Sequence, residues 1–234
     1  MQARLIRTDG ILNLIMDISQ TRWQIVADRV TFENARQDPK FPFVVAIARS
    51  ANAVTSINSM MLRGGEDVTS RATRDRLNSY LMASALMYEV FKLIRAMNQT
   101  FQDDEIFQNG LRKLLRDPTA QQIERNHLNP VRHSAVFHFA AETFAEFIAK
   151  STVNECIFAR GEGTKKIDVD YSFGDVVSAE ILVGFAEDSE EFYAALGNAM
   201  QKTHDLVDIF SRSAERLISF HLKRWRFEKK WLPS

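Results

Sequence analysis

Three residues that can act on a phosphate, one arginine and two histidines, lie within seven positions of the chain. They are Arg132, His133 and His138, in the stretch NPVRHSAVFHF that covers residues 129–139. A guanidinium binds phosphoryl oxygens through paired hydrogen bonds, and an imidazole exchanges protons near neutral pH. These residue types therefore indicate general acid–base chemistry at a phosphate.

The same stretch contains a helix-start signal. Asn129 is a favoured N-cap residue and Pro130 is favoured at the first helical position, so we expect a helix from here to about residue 150. Arg132 would then lie in the first turn, beside backbone N–H groups that have no partner within the helix. Those groups and the guanidinium together predict a site for a phosphate or a carboxylate.

The helical positions of the two basic groups favour a site shared by two chains. With 3.6 residues per turn, Arg132 falls near the apolar stripe and His138 points about 120° away from it. One helix alone does not direct both groups to one substrate atom, whereas two copies related by a two-fold axis can combine them in a cleft. The stripe comprises Val136, Phe139, Ala140, Phe144 and Phe147.

Arg132 is followed by the polar His133, and five residues separate Arg132 from His138; this arrangement resembles the motif of HEPN ribonucleases. In that family the motif opens a helix late in a four- or five-helix bundle. The resemblance covers the architecture of residues 11–150 but, in residues, only the heptapeptide 132–138. His133 stands where the family more often has Asn or Asp, which makes its role the least defined.

The resemblance implies a homodimer that cleaves RNA without a metal or another cofactor. A substrate 2′-hydroxyl would attack the adjacent phosphate and leave a 2′,3′-cyclic phosphate and a 5′-hydroxyl. His138 would act as general base or acid, Arg132 would stabilise the phosphoryl charge, and His133 would position the phosphate. The family further implies a role in microbial defence or a toxin–antitoxin pair, with an antitoxin or another protein as partner.

Glu89 is the predicted partner of Arg132. It is the only charged residue between Leu81 and Phe91, and a carboxylate is costly to bury unpaired. HEPN bundles also tend to place an acidic residue on an earlier helix against the motif arginine. We expect the pairing to orient the guanidinium and to lower the pKa of Glu89.

Two other interpretations of the motif stay open. Arg132 can be a buried ion-pair partner with His138 on the surface, as in a catalytically silent HEPN-like module that dimerises and binds a partner protein or nucleotide. The chain can also be a helical protein outside the superfamily. His127 and Asn129 are weaker candidates for substrate contact.

No other motif in the chain predicts chemistry. No cysteine cluster or His-Glu-x-x-His pattern predicts a metal site, and neither His204 nor His221 is expected to be catalytic. The C-terminal run 221–231 interleaves basic and aromatic residues. We interpret it as a helix end that packs on the body, with a nucleic-acid surface as the alternative.

Composition predicts a globular protein of the cytoplasm. The 234 residues are 45% hydrophobic, which is enough for a core, and 30 basic residues balance 30 acidic ones, so any RNA site must be local. Cys156 is the single cysteine and suits a reducing compartment. No uncharged run is long enough for a membrane helix, and no membrane association is expected.

The apolar periodicity predicts an all-α fold, a HEPN-like helical bundle with a small β-hairpin, forming a single domain over residues 1–234. Alternating residues around Ile167, Val169 and Tyr171 predict the hairpin, at about 155–171. The predicted helices cover residues 11–36, 42–63, 70–98, a shorter one after 103–104, a turn at 119–125, then 129–150, 173–182 and 189–228.

Overall fold

The computed structural model describes residues 5–8, 11–14, 23–63, 70–132, 160–161, 169–170 and 189–231. Its helices are α1 (Arg29–Ala35), α2 (Phe41–Arg63), α3 (Ser70–Met97), α4 (Glu105–Asn109), α5 (Leu111–Arg116), α6 (Pro118–Ile123) and α7 (Ser189–Arg224). A π-helical turn, Glu124–Leu128, follows α6 directly. The strands are β1 (Leu5–Thr8), β2 (Ile11–Leu14), β3 (Trp23–Val26), β4 (Arg160–Gly161), β5 (Val169–Asp170) and β6 (Glu228–Trp231).

Three long helices, α2, α3 and α7, form the frame of the bundle. Each has apolar residues at helical spacing that meet in one core with the short helices α4 to α6. The predicted all-α bundle is therefore confirmed. Fully buried side chains of this core include Ile47, Met87, Phe91, Ile94, Phe101, Phe107, Phe210 and Leu217.

Aspartate caps begin two of the short helices. The Asp104 carboxylate accepts a hydrogen bond from the Phe107 amide at 3.0 Å, and Asp117 accepts one from Ala120 at 2.9 Å. Pro118 follows Asp117 at the start of α6. The predicted single helix after residue 104 is interrupted at Gly110, where an added Cβ would lie 2.9 Å from the Ile106 carbonyl oxygen.

The small hairpin is confirmed, because β4 and β5 pair antiparallel within the predicted range 155–171, with Arg160 opposite Asp170. The predicted helix over residues 11–36 is wrong for residues 11–14 and 23–26, which are strands. β2 pairs antiparallel with β1, with Thr8 opposite Ile11, and within the described part of this range the helix is α1 alone. The intervening dipeptide in the sequence is Asp9-Gly10, a hairpin signal that outweighs a short helical apolar pattern.

The last helix ends at Arg224 rather than at the predicted residue 228. Arg226 has a positive φ of 63°, the Phe227 amide donates to the Leu222 carbonyl, and the Arg226 amide donates to Lys223. These bonds form a Schellman motif, which stops the helix. β6 then pairs antiparallel with β3.

A buried charge cluster joins the N-terminal ends of α2 and α4 to the C-terminal end of α7. Asp104 Oδ2 lies 3.0 Å from Lys40 Nζ and 3.0 Å from His221 Nε2, and His221 has no exposed surface. Trp225 packs beside His221 and donates to Asp38 at 3.0 Å. The interpretation of the C-terminal run as a packed helix end is thus confirmed for Trp225.

None of the helices in the described ranges combines the length and apolarity that crossing a membrane requires. The prediction that residues 1–234 form a single domain stays a prediction. The predicted helices 129–150 and 173–182 lie largely outside the described residues.

We expect stability to fall on acidification below about pH 6.5 because of His221. Burial lowers the pKa of His221 below its ordinary value of 6.5. The nearby Asp104 raises this pKa and Lys40 lowers it, and the net shift is downward. The unfolded chain therefore takes up the proton first, and the folded state loses free energy as the pH falls. Denaturant unfolding between pH 7.5 and 5 should show a steeper decline for the wild type than for His221→Gln. Equal slopes would contradict this account.

We expect Arg226→Gly to stabilise the fold by about 1 kcal/mol, because glycine adopts a positive φ without the steric cost of a side chain. Lys223→Gly is the matched control inside the last helical turn and should destabilise by about 1 kcal/mol. Chemical denaturation of the two variants measures both changes. A loss of stability in Arg226→Gly would show that the positive φ carries no strain.

Candidate functional site

Four of the predicted site residues, Glu89, His127, Asn129 and Arg132, are among the described residues. His133 and His138 lie outside them. Residues 118–132 form one continuous helical run, which we call the site helix, and it packs against α3. Glu89 is on α3, so the geometry of these two helices decides how the described half of the motif is arranged.

Arg132 contacts Glu89 as the sequence predicts. Its Nε donates to Glu89 Oε1 at 3.0 Å, and the two side chains are 25% and 43% exposed. Glu89 is thus half-exposed rather than buried, and it has a second partner in Lys92, whose Nζ lies 3.1 Å from Oε2. Burial opposes ionisation of Glu89, but Lys92 and Arg132 outweigh it and hold its pKa below the ordinary value.

A second ion pair joins the same two helices. Arg95 of α3 donates to the carboxylate of Glu124, and this hydrogen bond raises the pKa of Arg95. Glu89 and Arg95 follow one another along α3, while their partners follow in reverse order, so the helices run antiparallel. The sequence does not predict this pair, because no spacing rule identifies the partner of a charged surface residue on another helix.

The π turn lets both pairs form on one face of the site helix. Glu124 and Arg132 are eight residues apart, which in a regular α-helix places them about 80° apart around the axis. The π turn accommodates one extra residue, so the pair behaves like positions seven apart, which differ by about 20°. The Asn129 amide donates to the Glu124 carbonyl five residues back, as this geometry requires.

The buried residues of the site helix have the same displaced spacing. Ala120, Ile123, Leu128 and Val131 are buried, at intervals of three, five and three residues. With one residue accommodated by the π turn, the intervals become three, four and three, which is one face of an α-helix. Core packing and ion pairing therefore require the same extra residue.

The predicted helix start at Asn129 is wrong. Asn129 has φ −66° and ψ −50°, which are helical values, and its amide is bonded within the helix. Arg132 is consequently fourteen residues beyond Pro118, where the helical run begins, and the predicted phosphate site at a helix N-terminus does not exist at this position. Pro130 lacks an N–H, and in a regular α-helix its ring would clash with the carbonyl of residue 126, so the wider π turn directly before it is the geometry that suits its ring.

An open groove of about 450 Å³ lies between α3, α5 and the site helix. Arginines, amides, one aromatic ring and one carboxylate face it. Asn129 is part of this lining, whereas His127 is half-buried and is not. We call this surface the groove. Its lining residues are Tyr88, Arg95, Leu115, Gln121, Glu124, Arg125 and Asn129.

The described histidines outside the site, His204 and His221, contact other side chains within the helical bundle. His204 Nδ1 lies 3.0 Å from Asn58 Nδ2 across the α2–α7 interface, and His221 belongs to the buried cluster with Asp104. Among the described residues, no three His, Cys, Asp or Glu side chains are grouped so that they could hold a metal ion.

No protein-family model matches this chain, and no curated protein or solved structure is significantly similar to it.

We expect the coupling between Glu89 and Arg132 to survive removal of the extra residue. Deleting Asn126 in a Pro130→Ala background should convert the π turn to α-helix and keep Glu124 and Arg132 on one face. A double-mutant cycle with Glu89→Gln and Arg132→Met should give a coupling free energy of about 0.5–1 kcal/mol, both in this variant and in the wild type.

Insertion of one alanine after Asn126 is the control. It turns the following residues by about 100° and should reduce the coupling to zero. A cycle between Glu89→Gln and Arg125→Gln, whose side chains form no pair, should give zero coupling in the wild type. If the deletion removed the coupling as completely as the insertion, the phase argument would be wrong.

Proposed function

We propose that this protein is a metal-independent endoribonuclease of the HEPN type. The observation that carries the proposal is the placement of the motif arginine: Arg132 is oriented by Glu89, and three exposed residues of the same helix, Gln121, Arg125 and Asn129, line an open groove. An oriented guanidinium can stabilise the charge of a phosphorane-like transition state without first rearranging.

The proposed reaction uses the 2′-hydroxyl of the substrate as nucleophile. His138 of one subunit removes its proton, and the 2′-oxygen forms a bond to the adjacent phosphorus. The bond to the 5′-oxygen of the next nucleotide breaks, and that oxygen takes a proton from a second imidazole. The products are a 2′,3′-cyclic phosphate and a 5′-hydroxyl. Arg132 binds the phosphoryl oxygens throughout, and His133 positions the phosphate.

The proposal requires two copies of the chain. The predicted positions of Arg132 and His138 differ by about 120° around the helix, so a two-fold axis is needed to bring a guanidinium and both imidazoles to one phosphate. A homodimer also supplies the acid and the base as equivalent residues of two subunits.

The charges between α3 and the site helix support RNA as the ligand. Four cations, Lys92, Arg95, Arg125 and Arg132, face two carboxylates, Glu89 and Glu124. The chain as a whole has equal numbers of acidic and basic residues. A local positive excess on a neutral protein attracts a polyanion to one surface rather than to all of them.

The ion pair itself favours a second candidate, a HEPN-like module without catalytic activity. A guanidinium held by a carboxylate has a role in helix packing whether or not a phosphate binds. Such a module would dimerise and bind a partner protein, for example an antitoxin in a defence system. The two candidates differ in whether His138 is needed for any chemical change in RNA.

We expect the purified protein to cleave single-stranded RNA in the presence of EDTA and to leave 2′,3′-cyclic phosphate ends. His138→Ala should reduce the cleavage rate by about a hundredfold or more, since general acid–base catalysis contributes at least that much. His204→Gln, a change at a histidine on the α2–α7 interface, should keep the rate of the wild type. Product ends are identified by mass spectrometry.

Equal cleavage by the wild type and His138→Ala would remove His138 from the mechanism. A homodimer that cleaves no RNA under any condition would favour the silent module. Thermal unfolding of each variant shows whether a lost activity reflects a lost fold.

A further inference from the structure

One of the two arginines that line the groove is arranged differently from the other. Arg95 is held by Glu124, just as Arg132, which is not a lining residue, is held by Glu89. Arg125 is exposed, and within the part of the chain that the structure describes, no carboxylate lies within ion-pairing distance of it. An arginine of this kind contributes little to stability and keeps its full set of hydrogen-bond donors for a ligand.

Arg125 is the middle of a polar ridge on the site helix. Gln121, Arg125 and Asn129 all face the groove, at successive intervals of four residues. The Gln121 amide is fixed, because its Nε2 donates to the Leu115 carbonyl at 2.8 Å. Carboxamide groups such as these pair with the edges of bases, and a guanidinium pairs with phosphate.

Two other lining residues supply the apolar surface that a base needs. Tyr88 of α3 and Leu115 of α5 are both half-buried and line the groove. Lys92, which is paired with Glu89, lies 6.0 Å from the centre of the Tyr88 ring. Tyrosine rings commonly stack on the bases of single-stranded nucleic acids.

We propose that the groove binds one nucleotide of a single-stranded RNA, with a phosphate on Arg125 and the base against Tyr88. This proposal rests on the proposed function for the identity of the ligand. The volume of about 450 Å³ lies in the range of sites for small ligands. Arg125 and Arg132 are seven residues apart, roughly 10 Å along the helix, so the groove would hold a nucleotide close to the phosphate that is cut.

Binding is measured by fluorescence anisotropy with a labelled single-stranded oligoribonucleotide. The protein carries His138→Ala, so that cleavage does not change the probe. Adding Arg125→Gln should weaken binding by about tenfold, the effect of losing one charge-assisted contact. The slope of log K against log salt should decrease by roughly 0.7, the value for one phosphate of a single strand.

Arg49→Gln is the matched control, because Arg49 is an exposed arginine on α2, away from the groove lining. It should leave both the affinity and the salt slope unchanged. Competition by adenosine monophosphate, but not by equal inorganic phosphate, is expected, since the base contributes through Tyr88. Thermal midpoints within a degree or two of the parent show that each variant is folded.

The results separate this proposal from the proposed function. If the wild type cleaves RNA and Arg125→Gln binds like Arg49→Gln, the groove does not bind the substrate and this inference is overturned. If the wild type cleaves nothing but Arg125→Gln loses binding, the inference stands and only the catalytic proposal fails. Absence of any oligonucleotide binding at low salt overturns the inference directly.

Discussion

The extra residue in the site helix is the constraint on which the candidate site depends. Pro130 cannot occupy the interior of a regular α-helix without losing a hydrogen bond and meeting the carbonyl four residues back. The π turn at Glu124–Leu128 accommodates it and changes the phase of everything that follows. Without that change, Arg132 would lie about 80° from the face that Glu124 presents to α3. The position of the motif arginine on the site helix therefore depends on the extra residue that the π turn contains.

The ion pairs orient side chains more than they stabilise the fold. Both pairs between α3 and the site helix include a partner that is substantially exposed, and such pairs contribute between zero and about 1 kcal/mol each. Their value is geometric, because a guanidinium with one edge on a carboxylate has few remaining orientations. The same reasoning separates the paired Arg95 and Arg132 from Arg125, which the described contacts do not restrain.

Sequence reasoning succeeded where one local interaction decides the structure, and failed where two signals compete. A helix begins after Asp104 as predicted, and Glu89 contacts Arg132 as predicted. Asn129-Pro130 is a sequence pattern typical of a helix start, but burial of Leu128 and Val131 on either side of it keeps the chain helical across both residues. Arg226 has a positive φ, a conformation that is usually found at glycine, so the sequence contains no glycine that would predict the end of α7. Residues 133 and 138 carry the chemical prediction and lie outside the described ranges.

Magnitudes decide which of these interactions sets the rotation of the site helix. Leu128 and Val131 have no exposed surface, and burying such side chains stabilises a fold by about 1.5–3 kcal/mol each. The two ion pairs contribute between zero and about 1 kcal/mol each, which is less than the burial of either side chain. The core therefore fixes the rotation of the helix, and the charges follow from it. The spacing of the buried residues, at intervals of three, five and three, therefore indicates that the site helix contains one extra residue. A search for apolar faces that permits one extra residue before a proline would have located the π turn, and with it the face that presents Gln121, Arg125 and Asn129 to the groove.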